Sequence, residues 1–124
     1  MTGFTPEQRA ATITRDGGIC TLAGFVLGCT HRATEANHRL NRMMGGSKLR
    51  NGMSNAAAIC NPCNIAIESD AAARTIAIAH GVKVAEGSDP ALTPMWSSFF
   101  AQWTQPGDEN MSLLGGRLDE GMPS

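Results

Sequence analysis

The chain has no tyrosine, four phenylalanines and two tryptophans among 124 residues. Its hydrophobic fraction is 42%, with alanine the commonest member, so apolar volume per residue is modest. A small domain of this kind gains from a covalent or metal staple. No stretch approaches the roughly 18 consecutive apolar residues of a membrane helix, and no membrane span is expected. The first 25 residues contain Glu7, Arg9, Arg15 and Asp16 without an apolar central segment, so no secretory signal is expected either. Net charge is -1, which by itself selects no partner.

Dividing the chain changes that picture. Residues 1–60 hold seven Lys/Arg against three acids, a net of +4, and residues 61–124 hold three against eight, a net of -5. A polyanion would be drawn to the first half, although a charge run is more often a solvated face.

Four cysteines are present: Cys20, Cys29, Cys60 and Cys63. An even count permits two disulfides. A Cys-x-x-Cys with a distant second pair, on a chain expected in a reducing compartment, favours a zinc site. Cys20-x8-Cys29 is the looser half of that site.

Local signals give an order of elements. Thr5-Pro6-Glu7-Gln8 combines an N-cap, a proline at the first helical position and a capping-box glutamine, so a helix should run to about Arg15 and stop at Asp16-Gly17-Gly18. Thr34 to Leu40 suits a short strand, with Met43-Met44-Gly45-Gly46-Ser47 as a turn and Asn51-Gly52 as another. Asn61-Pro62 predicts a helix beginning inside the Cys-x-x-Cys, with Asn61 as cap. An alanine-rich helix from Asp70 to His80 should end at Gly81. Val82 to Val84 and Pro94 to Trp103 suit short strands or a last helix. Residues 1–104 form the expected domain, and 105–124, rich in Pro, Gly, Asp, Glu and Ser, the expected flexible tail.

Several residues point to chemistry. Phosphodiester hydrolysis needs a base to activate water, a cation to offset developing charge, and a group that aims the base. An unperturbed imidazole changes charge near neutrality, so His38 suits the first role. Oxygen donors suit Mg²⁺ or Mn²⁺, and Asn64, directly after Cys63, would be held in place by a zinc knuckle. Asn37 and His38 would point to opposite faces of a strand. His80, at a helix end, and Asn41 and Asn51, in loops, read as structural. His31 is a secondary candidate as a zinc ligand or phosphate contact. Phe99, Phe100, Trp96 and Trp103 read as core rather than as stacking platforms.

Asn37-His38, Gly45-Gly46, Asn55 and Cys60-x-x-Cys63-Asn64 resemble the HNH endonuclease motif. Arg15-Asp16-Gly17-Gly18-Ile19-Cys20 resembles the lead-in of zinc-containing members, and the pattern through Ile67-Glu68-Ser69-Asp70 is similar to small HNH proteins of actinobacterial phages. The resemblance covers residues 9 to about 70 well and 71–104 loosely. It implies an α+β fold, a ββα-metal finger stapled by a four-cysteine zinc site, with an N-terminal helix and a short C-terminal α/β extension. It implies His38 as general base, Asn55 orienting it through its backbone, and Asn37 and Asn64, with His38, at a catalytic Mg²⁺ or Mn²⁺. Cys20, Cys29, Cys60 and Cys63 match the structural zinc ligands. Arg39, Arg42, Lys48 and Arg50 would hold DNA phosphates. The implied activity is metal-dependent cutting or nicking of DNA in the host cytoplasm, in packaging beside a terminase or another phage protein, or in homing. Asn37 stands where a carboxylate or imidazole is usual, and Ile67 where lysine is common. These two departures keep open the alternative of a zinc-stabilised, non-catalytic DNA-binding or scaffolding module.

Overall fold

A computed structural model describes residues 4–41, 52–107 and 110–116. The first helix, α1 (Pro6–Arg15), starts as its sequence dictates. Thr5 accepts from the Gln8 N–H, the Gln8 side chain accepts from the Thr5 N–H, and Pro6 opens the first turn. It ends at Asp16, where Gly17 takes a φ of 71° and a Cβ would run into the Phe99 ring.

Strand β1 (Glu35–His38) pairs antiparallel with β2 (Ala56–Ile59), placing Glu35 opposite Ile59 and His38 opposite Ala56. A 3-10 turn, Met53–Asn55, leads into β2, which is buried along its whole length. Helix α2 (Asn61–Ser69) begins inside the Cys-x-x-Cys, but its cap is Cys60 rather than Asn61: the Cys60 sulfur accepts from the Cys63 N–H. Asp70 closes α2 and caps α3 (Ala71–Ala79), its carboxylate accepting from the Ala72 N–H. Gly81, at φ 73°, turns the chain out of α3. The Val82 N–H reaches Ala77 O and the Gly81 N–H reaches Ile78 O, a Schellman closure.

Residues 82–84 form no strand but run along the outer edge of β1, where the Val84 N–H donates to Arg39 O. Beyond them, β3 (Met95–Ser97), β4 (Gln102–Pro106) and β5 (Met111–Gly115) make a three-stranded antiparallel meander. Trp96 faces Trp103 across it with the rings edge to face at 5.6 Å. The two tryptophans are core, whereas Phe99 (54% exposed) and Phe100 (38%) lie at the surface around the β3–β4 turn. A domain boundary at residue 104 is corrected here: β4 runs through Gln105 and Pro106, and β5 pairs with it inside the segment expected to be a tail. Pro106, Gly107 and Asn110 lie where the two strands meet their connection, a composition that a hairpin shares with a disordered end.

The architecture is a mixed α+β one, with three helices and two small sheets among the described residues. Its core joins Cys20, Leu22, Ile59, Cys60, Cys63 and Ile67 to Ala73, Ala77, Val82 and Met95, so the cysteines sit at the centre of the packing. No described helix is long and apolar enough to cross a membrane.

Candidate functional site

The four cysteines converge. Their sulfurs all lie within 4.8 Å of one another, with Cys29 and Cys60 3.8 Å apart, and none is in a disulfide. Tetrahedral zinc with Zn–S bonds of about 2.3 Å needs sulfurs about 3.8 Å apart, against about 2 Å in a disulfide. Backbone geometry makes this convergence. Cys20 N–H donates to His31 O and Ala33 N–H to Gly18 O, zipping the two arms of the 20–29 loop together, and Thr21 N–H and hydroxyl both reach Ala58 O on β2. Cys60 and Cys63 are one helical turn apart at the start of α2.

The donor chemistry fits a thiophilic dication. Burial pushes the Cys20 thiol up to about 12 and raises Cys63 as well, with neighbouring sulfurs acting in the same direction. Burial also pushes Cys60 up, but hydrogen bonds from Thr30 and Cys63 together outweigh it and bring that thiol down to about 7. Four thiolates cannot crowd together without a cation; a bound Zn²⁺ would supply it. His31 does not join the four. Its backbone N–H donates to Cys29 Sγ at 3.3 Å, from an exposed residue at φ 67°. Such N–H···S bonds support a thiolate without ligating the metal.

His38 is half-buried at the end of β1, its ring stacked on Phe4 with centroids 4.0 Å apart and planes 11° from parallel. Lys83 Nζ donates to His38 O (2.9 Å) and to the Asn41 side chain (2.7 Å), and pairs with Glu68 at 3.4 Å. Burial lowers the Lys83 pKa and Glu68 opposes the shift. Asn41, Glu68 and Lys83, with Arg74, line a cavity of about 210 Å³.

Asn55 is buried and ties down the exit from β1. Its Oδ1 accepts from Leu40 N–H at 2.6 Å, its Nδ2 donates to Leu40 O, and its own carbonyl accepts from Arg39 N–H.

Asn37, expected at the cation, is 5% exposed, and its side-chain N–H donates to Val82 O at 3.1 Å. Strand alternation puts Glu35 and Asn37 on one face of β1 and His38 on the other. Asn64, in the first turn of α2, donates to Glu35 Oε1 at 2.9 Å. The structure thus brings Asn64 to Glu35, not to Asn37.

Arg39 requires a correction. Expected at DNA phosphates, it is fully buried, and its guanidinium donates to the carbonyls of Gly81, Ser54, Pro90, Thr93 and Pro94 at 2.6–3.3 Å. Burial lowers its pKa to about 9, so it remains a cation at neutral pH. Five carbonyl dipoles replace its water, and none of its donors is left for a phosphate. Arg42, Lys48 and Arg50 lie outside the described residues. Within the basic half, Arg9 and Arg32 are exposed.

Three residues escape the sequence reading. Asp16 reads there as a turn former and as part of the Arg15–Cys20 lead-in, yet it forks with Arg15 (Nε–Oδ1 and Nη2–Oδ2, both 2.9 Å) and accepts from Ala58 N–H. Arg15 itself reaches Met53 O and Ala56 O, so the pair clamps α1 to β2. Lys83 carries no local signal. Glu35 does: it stands two residues before Asn37, on the same face of the expected strand.

No family model matches the chain, and no curated protein or solved structure matches it.

Proposed function

We propose that the protein is an HNH-type endonuclease that hydrolyses DNA phosphodiester bonds. The observation that carries the reading is the order and pairing of β1, β2 and α2. His38 sits on the first strand, Asn55 immediately precedes the second, and Asn64 lies on the first turn of a helix that starts at the Cys60–Cys63 corner. That order supports a ββα-metal finger, for which the Cys20/Cys29/Cys60/Cys63 cluster would offer four thiolates to a structural zinc.

In this reading, neutral His38 takes the proton from the attacking water. Asn55, by holding Leu40, and Lys83, by holding the His38 carbonyl, fix the backbone that presents the imidazole. A divalent cation, when bound, neutralises charge on the scissile phosphate and leaving oxygen. Cations of the basic half hold flanking phosphates, so affinity falls steeply with salt and varies little with sequence. The test is supercoiled plasmid incubated with the zinc-loaded chain and Mg²⁺ or Mn²⁺. Nicked or linear product is expected from the wild type and none from His38→Ala. Equal activity in the two removes His38 as base.

A second reading, a zinc-stabilised DNA-binding or scaffolding module, is favoured by one observation: Asn37 is buried, with its side-chain N–H donating to Val82 O. That module would shift DNA in a gel without cutting it under any divalent metal. A role beside a phage terminase or another phage protein belongs to either reading, and co-purification with such a partner tests it.

A further inference from the structure

Two contacts steady the backbone around His38, one from Lys83 to its carbonyl and one from Asn55 to Leu40. Neither fixes the ring. The torsion that turns an imidazole is broad, so a histidine on a rigid strand still sweeps its nitrogens through space. Ala56, opposite His38 on β2, offers only a methyl group against it. We propose that Phe4 is the positioning residue for His38: its ring, stacked parallel on the imidazole, sets the plane in which the ring nitrogens point. The catalytic meaning of that role rests on the nuclease reading; the ring geometry does not.

Sequence and packing together place Phe4 there. It immediately precedes the N-cap Thr5, a position whose apolar side chain often packs on the fourth residue of its own helix. Here that residue is Arg9, charged and exposed. The half-buried Phe4 ring lies instead on His38, with centroids 4.0 Å apart and planes 11° from parallel. The Thr5–Gln8 capping box sets the direction in which the chain enters α1. At the far end, Arg15 and Asp16 tie the helix to Met53, Ala56 and Ala58. Phe4 is therefore delivered by a helix bound to the sheet that carries His38.

A face-on stack suits a base. A ring nitrogen accepts its proton along a lone pair in the plane of the imidazole, so a neighbour on the face occupies none of the directions a proton uses. Rotation about the last torsion would drive the imidazole edge into the Phe4 ring. Once the proton is taken, the imidazolium lies against the negative face of an aromatic ring, which favours the charge that forms.

The test compares the zinc-loaded full chain with Phe4→Leu, which keeps apolar bulk and removes the aromatic face. Phe4→Met replaces it should that variant lose amide dispersion, and Phe4→Tyr is the conservative rescue. NMR reads the ring directly. The His38 ring protons should lie upfield under the Phe4 ring current, and move downfield in Phe4→Leu but not in Phe4→Tyr. In plasmid nicking, Phe4→Leu should lose about tenfold or more in kcat with KM within a factor of about 2, and Phe4→Tyr should stay within a factor of about 3 of the wild type. A general loss of stability would produce neither that split nor the rescue. Unshifted His38 protons in Phe4→Leu overturn the proposal whatever the chain cuts. Wild-type or raised kcat in Phe4→Leu, beside an inactive His38→Ala, removes the positioning role and leaves the nuclease reading standing. A chain that never cuts removes the nuclease and the catalytic role with it, and the proton shifts alone then decide whether Phe4 holds the ring.

Discussion

Two groups of side chains, both set around the β1–β2 hairpin and α2, are finished to different degrees. The cysteines come from positions 20 to 63 and meet with their sulfurs within 4.8 Å of one another, three of the residues fully buried. The groups proposed for catalysis stay apart, each with its own protein partner: His38 against Phe4, Asn37 on Val82, Asn64 on Glu35. The difference follows from solvent. A structural ion contributes its whole binding energy to folding and so belongs in the core. A cation that must meet a phosphate belongs at a wet surface, where resting side chains satisfy one another until the ion and substrate arrive.

That contrast fails if the cysteine cluster proves dispensable. Cys63→Ser, or removal of the metal by a chelator, should unfold the chain. Structural zinc contributes on the order of 10 kcal/mol, comparable with the whole stability of a small domain at about 5–15 kcal/mol. Loss of far-UV dichroism and of amide NMR dispersion is the expected reading; a chelated chain that keeps both breaks the comparison. Next in size is Arg39→Met. Five buried carbonyls lose their donor, and denaturant melts should show a loss of about 3–5 kcal/mol, against under about 0.5 for an arginine in solvent. Asn55→Ala unties both Leu40 groups and should lose about 1–3 kcal/mol, with cleavage falling beyond what the unfolded fraction explains. His38→Ala forfeits the Phe4 stack, about 0.5–1.5 kcal/mol, and on the nuclease reading should abolish cleavage. A drop as large as that of Arg39→Met would make His38 a structural residue.

The smallest effect belongs to Glu68→Gln. Glu68 is 60% exposed, so solvent screens its pairing with Lys83 and the loss should stay below about 1 kcal/mol. Its pH dependence has a definite sign. Lys83 has a folded pKa below its ordinary 10.5, so the folded state sheds this proton first and the group's contribution to stability rises with pH up to that value. Removing Glu68 takes away the charge that opposes the shift, so the rise should begin at lower pH in the variant. Urea midpoints compared at about pH 8 and about pH 10 read this out.

Much of the frame was legible because its signals are local. The Thr5/Gln8 box, the proline inside the Cys-x-x-Cys, and Gly81 after an alanine-rich run each fix a helix end through hydrogen bonds spanning a few residues. The four-cysteine cluster was legible because thiols have few other uses in such a spacing. What stayed hidden depends on distant backbone. Nothing near Arg39 announces that carbonyls from residues 54 to 94 will surround it, so its charge reads as exposed. Asn37 is diverted by Val82, 45 residues away. Strand β5 was lost because turn-rich composition just before it reads the same in a hairpin and in a tail.

The wide spacing of the cysteines also orders events during synthesis. Cys20 leaves the ribosome well before Cys60 and Cys63, and β1 before its only described partner, β2. Until residue 63 emerges, the arms around Cys20 and Cys29 have neither a completed ion site nor a strand at their back. The region from α1 to α2 should therefore fold as one late event, and nascent chains halted before residue 63 should remain protease-sensitive even with zinc present.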